Sequence, residues 1–221
     1  MHKIGILSDT HGLLRPEVIA ALKGCDQILH GGDINKQSIL DELEKLAPVR
    51  AVRGNNDKEW AEALPLFLEA EVCGLHIYMV HNKKDIPKGL SGVDLVIYGH
   101  SHKYEDKMAD GIRYLNPGSC GPRRFHQEIT FAILSVEEDH GFQIEKVLIP
   151  HQPSPSQAAG KDQQPDIAAL IPAVMKELDA GKTVKQIAKK HKIQEELAEQ
   201  IARMYFTHPG IDAEGIRRRM D

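Results

Sequence analysis

The chain contains five short polar segments whose side chains are suited to binding metal ions. These segments are Asp9-Thr10-His11, Gly31-Gly32-Asp33, Gly54-Asn55-Asn56-Asp57, the single residue His81, and Gly99-His100-Ser101-His102. Their side chains include carboxylates, imidazoles and amides, and none of the segments contains a thiol. This mixture of donors suits borderline divalent cations such as manganese, iron, cobalt, nickel or zinc better than calcium or magnesium alone.

Seven of these side chains are candidate metal ligands, which is too many for one ordinary site. They are Asp9, His11, Asp33, Asn55, His81, His100 and His102. Two cations about 3.5–4 Å apart that share a bridging carboxylate have a use for all seven. A hydroxide held between two cations is a nucleophile at neutral pH, and both cations neutralise charge on a phosphoryl group during in-line attack. The segments therefore point to phosphoester hydrolysis.

The polar segments follow the predicted ends of β-strands. Hydrophobic runs predict strands over residues 3–7, 26–30 and 49–52, and helices are predicted between them over residues 14–23 and 36–46. This β-α-β-α-β order predicts a largely parallel sheet with right-handed crossovers. Because ligands bind outside the carboxyl ends of strands in α/β sheets, we expect the polar segments to converge on one edge.

The chain between residues 65 and 150 has a different pattern, with many strands and few helices. The predicted strands and turns are 67–72, 76–80, 94–98, 113–115, 128–136 and 142–149, with turns at Cys73-Gly74, Asp110-Gly111 and His140-Gly141. So many strands beside only two or three helices predict two packed sheets rather than one doubly wound sheet.

The order of the motifs resembles that of the calcineurin-like metallophosphoesterase superfamily. That family is marked by Asp-x-His, Gly-Asp, Gly-Asn-x-Asp/Glu, a lone His and Gly-His-x-His, and this chain has them in the same order. Its segment Asn116-Pro117-Gly118-Ser119 is similar to one found in the small bacterial and archaeal phosphodiesterases of the family. The resemblance covers about residues 1 to 150. It implies an α/β fold, a four-layer α/β/β/α sandwich, and hydrolysis of phosphodiesters.

The resemblance also implies a role for each candidate ligand. One cation is expected to bind Asp9, His11, Asp33 and His102, and the other Asp33, Asn55, His81 and His100, with Asp33 as the bridge. We expect two divalent metal ions, with manganese as the first expectation and iron, nickel, cobalt or zinc as alternatives. The expected partner is a small phosphoester substrate.

Two positions depart from the family pattern. Many members have a histidine after Gly-Asn that donates a proton or contacts the transition state, whereas this chain has Asn56, whose amide cannot act as a general acid. This difference predicts faster turnover of diesters with good leaving groups than of alkyl monoesters. The chain also has His81-Asn82-Lys83 where relatives often have His-Gly-His, which leaves open the substrate choice at that wall of the pocket.

Residues beside the ligands are candidates for a catalytic role. Asp57 is expected to hydrogen-bond a ligand imidazole and fix its tautomer, a common task for a carboxylate behind a metal site. Arg123 and Arg124 follow the Asn-Pro-Gly-Ser turn and are candidates for gripping a non-bridging phosphate oxygen. The candidate catalytic set is therefore Asn56, Asp57 and Arg123.

The C-terminal part of the chain is predicted to be a separate all-helical unit. Residues 151–165 lack apolar periodicity and are predicted to be a linker, and helices are predicted over residues 166–179, 183–191, 194–206 and 212–220. The middle two helices have helix-turn-helix spacing. Residues 165–221, however, carry ten Lys+Arg against nine Asp+Glu, and the second of these helices begins with acidic residues. A docking, lid or homo-oligomerisation module is therefore favoured over nucleic-acid binding.

The composition of the chain narrows its class. Its 221 residues are 41% hydrophobic and carry a net charge of −4, which supplies a core and argues against a surface that attracts nucleic acid everywhere. Its three cysteines are odd in number and widely separated, which favours a reducing compartment. No apolar stretch approaches the ~18–20 residues needed to cross a bilayer, and the N-terminus turns polar too soon for a secretory signal. We expect a cytoplasmic protein with no membrane partner.

Two other functions are alternatives to an enzyme. The first is a non-catalytic, metal-binding interaction scaffold of the same fold, which some family members such as a retromer subunit resemble after losing ligand residues. All seven ligand positions are filled here, which favours the enzyme, although Asn56 keeps the scaffold open. The second is a nucleic-acid-processing factor that is targeted by its C-terminal helices.

Overall fold

The computed structural model describes residues 1–123, 127–150, 167–193, 195–208 and 210–220. The chain divides into two compact units, Met1–His151 and Gln152–Asp221, and each has a hydrophobic core of its own. The segment predicted to be a linker, residues 151–165, lies outside the described residues. No described helix is long and apolar enough to span a membrane.

The first unit is built mainly from β-strands. Its described strands are β1 (His2–Leu7), β2 (Gln27–His30), β3 (Val49–Ala51), β4 (Phe67–Val72), β5 (Leu75–Val80), β6 (Leu95–Ile97), β7 (Tyr104–Ala109), β8 (Ile112–Pro117), β9 (Ile129–Val136) and β10 (Phe142–Ile149). Two α-helices, α1 (Pro16–Leu22) and α2 (Gln37–Glu44), and short 3-10 turns at Glu59–Ala61 and Lys83–Asp85 accompany them. The first five elements have the β-α-β-α-β order that the hydrophobic pattern predicts.

The strands form two mixed sheets of five strands each. The first sheet has the order β10-β9-β1-β2-β3, in which β1, β2 and β3 are parallel and β9 and β10 are antiparallel additions. The second sheet has the order β4-β5-β6-β8-β7, in which β5, β6 and β8 are parallel and both edge strands are antiparallel. The predicted pair of sheets is therefore confirmed.

The first sheet is buried on both faces. One face carries α1 and α2, whose Leu22 and Leu43 belong to one buried cluster with Phe131. The opposite face meets the second sheet, where Ile6 and Met79 belong to a second buried cluster. Burying an aliphatic or aromatic side chain of this size contributes about 1.5–3 kcal/mol. The two clusters therefore give the ends of β1 and β2 a rigid support.

The outer face of the second sheet is covered by irregular chain. Tyr78, Val96 and Tyr98 on this face belong to one buried cluster, and Ile86 and Leu90 pack against it from the segment between β5 and β6. Within the described residues of the first unit, that segment contains a 3-10 turn and no α-helix. The predicted α/β/β/α sandwich is thus present as two sheets, with helices on one side and a loop on the other.

The second unit is a four-helix cluster in its described residues. The helices are α3 (Ile167–Asp179), α4 (Val184–His191), α5 (Glu195–Thr207) and α6 (Ala213–Met220). The Thr183 side chain caps α4 in a capping box with Gln186, and α4 ends at Lys192 in the left-handed conformation. Ile187 and Ile201 are completely buried and bring α4 and α5 into one core. This is the short turn between two helices that the sequence predicts.

Candidate metal centre

The loops that carry the candidate ligands have an unusual backbone. Five of the seven candidates have a positive φ, namely Asp9 at 55°, His11 at 46°, Asp33 at 56°, His100 at 69° and His102 at 58°. A non-glycine residue in this region costs roughly 1–2 kcal/mol, and such costs concentrate at functional sites. All five residues lie in the loops that follow β1, β2 and β6.

Two motif glycines allow these loops to approach each other closely. A Cβ atom at Gly54 would overlap the backbone nitrogen and the carboxylate of Asp33. A Cβ atom at Gly99 would overlap Ser8 Oγ and the carboxylate of Asp9. Glycine is therefore required at both positions because another part of the site occupies the space of a side chain.

The first group of converging ligand atoms comes from Asp9, His11 and His102. His102 Nε2 lies 3.1 Å from Asp9 Oδ1, His11 Nε2 lies 3.7 Å from the same oxygen, and the two imidazole nitrogens are 3.2 Å apart. Ligands about 2.1 Å from one cation are separated by roughly 3.0–3.4 Å in octahedral or tetrahedral geometry. The separations from His102 Nε2 to the other two atoms fall in this range, and the separation between His11 Nε2 and Asp9 Oδ1 is slightly wider.

The second group comes from Asp33, Asn55, His81 and His100. His81 Nε2 lies 3.4 Å from Asp33 Oδ2 and 3.1 Å from Asn55 Oδ1, and His100 Nδ1 lies 2.8 Å from the same amide oxygen. The two separations from His81 Nε2 match neighbouring ligands of a single cation, and the separation between His100 Nδ1 and Asn55 Oδ1 is slightly shorter. All four residues of this group are thus brought together by the fold.

One carboxylate oxygen belongs to both groups. Asp33 Oδ2 is 3.4 Å from His81 Nε2 and 3.8 Å from His11 Nε2. Asp9, Asp33 and His81 also offer ligand atoms that all lie within 4.8 Å of one another. A carboxylate shared between two groups of nitrogen ligands has the position of a bridge between two cations.

The burial and charge of the site fit divalent cations. Asp9 is completely buried, and its Oδ1 accepts no hydrogen bond from any described residue even though two imidazoles are close. A buried carboxylate oxygen without a donor is costly unless a cation or a proton satisfies it. Asp33 is also buried, at 1% exposure, whereas His100 is exposed. The donor set fits two cations, with its open side at His100.

Proton affinities at the site are displaced in opposite directions. Burial alone raises the pKa of Asp9, but His102 and His11 beside it hold that pKa well below its usual range. For His81, burial lowers the pKa, yet the hydrogen bond to Asp33 and the charge of Asp9 raise it to about 9. Without a cation, His81 is therefore protonated at neutral pH, and cation binding has to displace that proton.

Hydrogen bonds from outside the site orient two of the ligand rings. His81 Nδ1 lies 2.7 Å from Gly31 O, so Nδ1–H donates there and Nε2 faces the site. His11 Nδ1 lies 3.4 Å from the Asn35 amide nitrogen, while Asn35 Oδ1 is buried without a partner among the described residues. Turning this amide over lets Oδ1 accept from His11 Nδ1–H and frees the Nε2 lone pair for a cation. Asn35 is a functional neighbour that the motif pattern does not reveal.

Asn56 is placed against the shared carboxylate. Its backbone nitrogen donates to Asp33 Oδ1 at 2.8 Å, and its side-chain nitrogen donates to Asp33 Oδ2 at 2.7 Å. The hydrogen bond and charge of His81, together with the backbone hydrogen bond from Asn56, lower the pKa of Asp33 against the opposing effect of burial. The amide therefore holds the bridging residue, which is a different task from the proton donation of a histidine at this position.

The structure corrects the expectation for Asp57. Its Oδ1 accepts hydrogen bonds from the backbone nitrogens of Ile34 and Asn35 at 2.8 and 2.7 Å, and its Oδ2 accepts from Gly54 N at 2.8 Å. Backbone amides occupy the carboxylate, rather than the ligand imidazole expected from the sequence. Asp57 instead fastens the loop of Asp33 to the loop of Asn55.

The two arginines after the Asn-Pro-Gly-Ser turn are only partly described. Arg123 is half-buried, and its Nε donates to Gln127 O at 3.5 Å. Arg124 lies outside the described residues. Contact of Arg123 with a substrate stays a prediction.

The Asn-Pro-Gly-Ser segment supports two of the ligand loops. Asn116 Nδ2 donates to Gly99 O at 2.8 Å, and Ser119 Oγ donates to Asp9 O at 2.8 Å. Ser8 Oγ and the backbone nitrogen of His100 donate to Asp9 Oδ2 at 2.5 and 3.1 Å. Sequence reasoning selects the segment through the family resemblance but does not identify these contacts or Ser8. The segment thus connects the end of β8 to the ligands that follow β1 and β6.

Comparison with known proteins places these features in a family context. Residues 2–139 match the calcineurin-like phosphoesterase superfamily domain. A phosphodiesterase of Methanocaldococcus jannaschii is 32% identical over 142 residues, which cover 53% of this chain and 84% of the relative. A solved archaeal phosphodiesterase is 28% identical, with a TM-score of 0.55 over 66% of this chain and 99% of its own. Vps29 of Chaetomium thermophilum shares the fold, with a TM-score of 0.54 at 19% identity over 67% of this chain and 98% of its own.

Proposed function

Since the chain belongs to the calcineurin-like phosphoesterase superfamily, we propose that it is a dinuclear metal-dependent phosphodiesterase that attacks phosphorus in line. One observation carries the proposal: Asp33 Oδ2 lies within 3.4 Å of His81 Nε2 and 3.8 Å of His11 Nε2. The ligand spacing supports two cations, and the names of the relatives support a phosphodiester substrate. Manganese is the proposed metal, with iron, nickel, cobalt or zinc as alternatives.

Each half of the site has a distinct task in this proposal. Asp9, His11 and His102 hold one cation, Asn55, His81 and His100 hold the other, and Asp33 joins them. When bound, two such cations turn water into a nucleophile at neutral pH and neutralise charge on the phosphoryl group. Asn56 keeps both oxygens of Asp33 oriented through its two hydrogen bonds. The exposed side of His100 is the side from which a phosphoester approaches.

The contacts of Asn56 set the preference for leaving groups. Its amide donates to Asp33 and cannot release a proton to a departing oxygen. A leaving group that is stable as an anion does not need that proton, whereas an alkoxide does. We therefore expect p-nitrophenyl diesters to be hydrolysed faster than alkyl monoesters.

Hydrolysis of bis-p-nitrophenyl phosphate by metal-free protein reloaded with manganese tests the proposal. We expect manganese-dependent release of p-nitrophenol, and its loss in Asp33→Ala because that variant removes the shared carboxylate. Asp41→Asn on the exposed surface of α2 is the matched control and should retain the activity. Equal rates for aryl and alkyl substrates would contradict the role given to Asn56.

A scaffold without catalysis is the second candidate, and Asn56 is the observation that favours it. A scaffold binds cations through the same ligands but needs no proton donor for a leaving group. Folded protein that binds two cations and hydrolyses no ester with manganese, iron, nickel, cobalt or zinc would establish the scaffold and reject the enzyme.

A further inference from the structure

Four side chains form a polar network at the ends of β5 and β6 and the start of β7. Glu105 accepts hydrogen bonds from Lys83 Nζ at 2.7 Å, from Lys107 Nζ at 2.8 Å and from the Tyr98 hydroxyl. The Lys83 ammonium also lies 5.1 Å from the centroid of the Tyr98 ring. Tyr98 is almost completely buried, so Glu105 is the acceptor that its hydroxyl requires. We call Tyr98, Lys83, Glu105 and Lys107 the Glu105 network.

The network joins the loops that carry three candidate ligands. Three of its four members lie within three residues of a candidate ligand in the chain, namely Lys83 near His81, Tyr98 near His100, and Glu105 near His102. Glu105 therefore connects the end of β5, the end of β6 and the start of β7 through a single carboxylate. A backbone hydrogen bond also joins the ends of β5 and β6, since Gly99 N donates to His81 O at 2.9 Å.

Two of these three connections lead to His81 and His100, the candidate ligands of what we call the second cation. The rings of His81 and His100 meet edge to face with their centroids 5.3 Å apart, and both lie against Asn55 Oδ1. Their relative position depends on two loops. The loop after β5 contains Lys83, and the loop after β6 begins with Tyr98. Supporting partners of this kind keep ligand atoms within the narrow tolerance that a cation demands.

The network also pairs the charge of Lys83. Lys83 stands two residues after His81, and its ammonium is paired with the carboxylate of Glu105, which it shares with Lys107. If Glu105 loses its charge, Lys83 and Lys107 lose this partner, and Lys83 is a positive charge two residues from the candidate ligand His81. Repulsion between like charges then weakens cation binding by His81.

We propose that Glu105 is a positioning residue for the second cation, the one assigned to Asn55, His81 and His100. It acts through Tyr98 and Lys83 and has no contact with substrate in this role. The inference rests on the proposed dinuclear centre, but it concerns cation affinity rather than turnover.

Calorimetric titration of the metal-free, full-length protein with manganese tests the inference. We expect wild type to bind two equivalents, and Glu105→Gln to bind one of them about tenfold or more weakly while the other keeps its affinity. Asn55→Ala identifies the weakened equivalent, because it removes a ligand of the second cation alone. Combining Lys83→Met with Glu105→Gln should recover part of the lost affinity, since it removes the charge of Lys83.

Asp106→Asn is the matched control for a structural effect. Asp106 is the neighbouring residue on β7 and forms a two-bond ion pair with Arg113, with Nε to Oδ1 and Nη2 to Oδ2 both at 2.8 Å. Its loss should leave both manganese affinities unchanged. Glu105→Gln with unchanged affinities, equal weakening of both equivalents, or an equal effect of Asp106→Asn would overturn the inference.

The same titration separates the inference from the proposed function. Wild type that binds two equivalents without hydrolysing any ester rejects the enzyme and leaves the role of Glu105 intact. Wild type that binds fewer than two equivalents overturns both.

Discussion

His30 is completely buried and forms hydrogen bonds through both ring nitrogens. Gly32 N donates to Nδ1 at 3.2 Å, and Nε2–H therefore donates to Thr10 Oγ1 at 3.0 Å. Burial opposes a positive charge on the ring, and the charge of His81 repels it, so the pKa of His30 is lowered to about 4. A second ring proton would also face the N–H of Gly32. Its neutral ring holds the loops of Asp9 and Asp33 together through neighbouring residues, although it matches no family motif.

This environment predicts a pH dependence of stability. The native state keeps His30 neutral down to about pH 4, whereas the unfolded chain takes up the proton near pH 6.5. The free energy of unfolding therefore falls as the pH drops from about 6.5 to 4, by at most about 3 kcal/mol. His30→Gln lacks this titration, so its stability should change less over the same range. Urea unfolding of metal-free wild type and variant at several pH values measures the difference.

Other titratable groups at the site also make the stability depend on pH. The raised pKa of His81 gives metal-free protein a stability that is complete below about pH 6.5 and is lost between 6.5 and about 9. The low pKa values of Asp9 and Asp33 contribute stability that is present above their ordinary pKa of 3.8 and is lost only as the pH falls below it. His100 has a lowered pKa and acts in the same direction as His30, which is why the variant and not the wild-type slope is decisive. Parallel curves for wild type and His30→Gln between pH 6.5 and 4 would rule out this account.

At the scale of elements, the ends of β1 and β6 meet at Gly99. A side chain there overlaps Ser8 Oγ and the carboxylate of Asp9, and both atoms are buried. Gly99→Ala should therefore displace the ligand Asp9, weaken manganese binding about tenfold or more, and lower stability by roughly 1–3 kcal/mol. Titration with manganese and chemical unfolding measure the two effects.

Gly89→Ala is the control for this prediction. Gly89 has a φ of 75° and open space where a Cβ would lie, so its replacement strains the backbone without touching another residue. It should cost roughly 1–2 kcal/mol of stability and leave manganese affinity unchanged. An equal loss of affinity in both variants would show that the effect of Gly99→Ala is not local.

The hydrophobic pattern predicts the apolar and alternating strands of the fold better than a strand with consecutive charged residues. The predicted strand at residues 76–80 corresponds to β5 (Leu75–Val80), and 142–149 corresponds to β10, because both have long apolar or alternating runs. The pattern misses β7 (Tyr104–Ala109), which contains consecutive charged residues. That strand lies at a sheet edge and is held by backbone pairing with β8 across the turn at Asp110-Gly111. Its polarity is compatible with an edge, where one side faces solvent.

The candidate site shows the same division between type and geometry. Residue types and order select the seven side chains, and the structure brings all of them into two adjoining groups. The left-handed backbone at residues such as Asp9, His100 and His102 is not predictable from the sequence. Aspartate and histidine adopt this conformation only occasionally, so their presence does not indicate it as a glycine would. The contacts of Asp57 are not predictable from the sequence for a related reason. Its partners are backbone amides, which every residue carries.

At the scale of the whole molecule, the chain consists of two units with separate cores. The first unit, Met1–His151, contains every candidate ligand and the single tryptophan, Trp60. The second unit, Gln152–Asp221, has a core of its own around Ile171 and Ile187. In this unit Lys182 and Lys190 are both paired with Glu177, whose single carboxylate offsets one of their two positive charges. This pairing supports the proposal that the unit serves docking or homo-oligomerisation rather than nucleic-acid binding.

The placement of the ligands predicts that metal stabilises only one of the two units. A ligand present at 100 times its dissociation constant adds about 2.7 kcal/mol to the state that binds it, which raises the midpoint of a unit of this size by roughly 5–10 °C. Trp60 fluorescence reports the first unit, and circular dichroism at 222 nm also reports the helices of the second. Manganese should raise the fluorescence midpoint and leave a second, helical transition in place, and a chelator should reverse the change. Asp33→Ala should abolish the manganese effect in both signals. A single transition that moves as a whole with manganese would mean that the two cores unfold as one cooperative body, since stabilisation by a ligand then spreads to residues that never contact it.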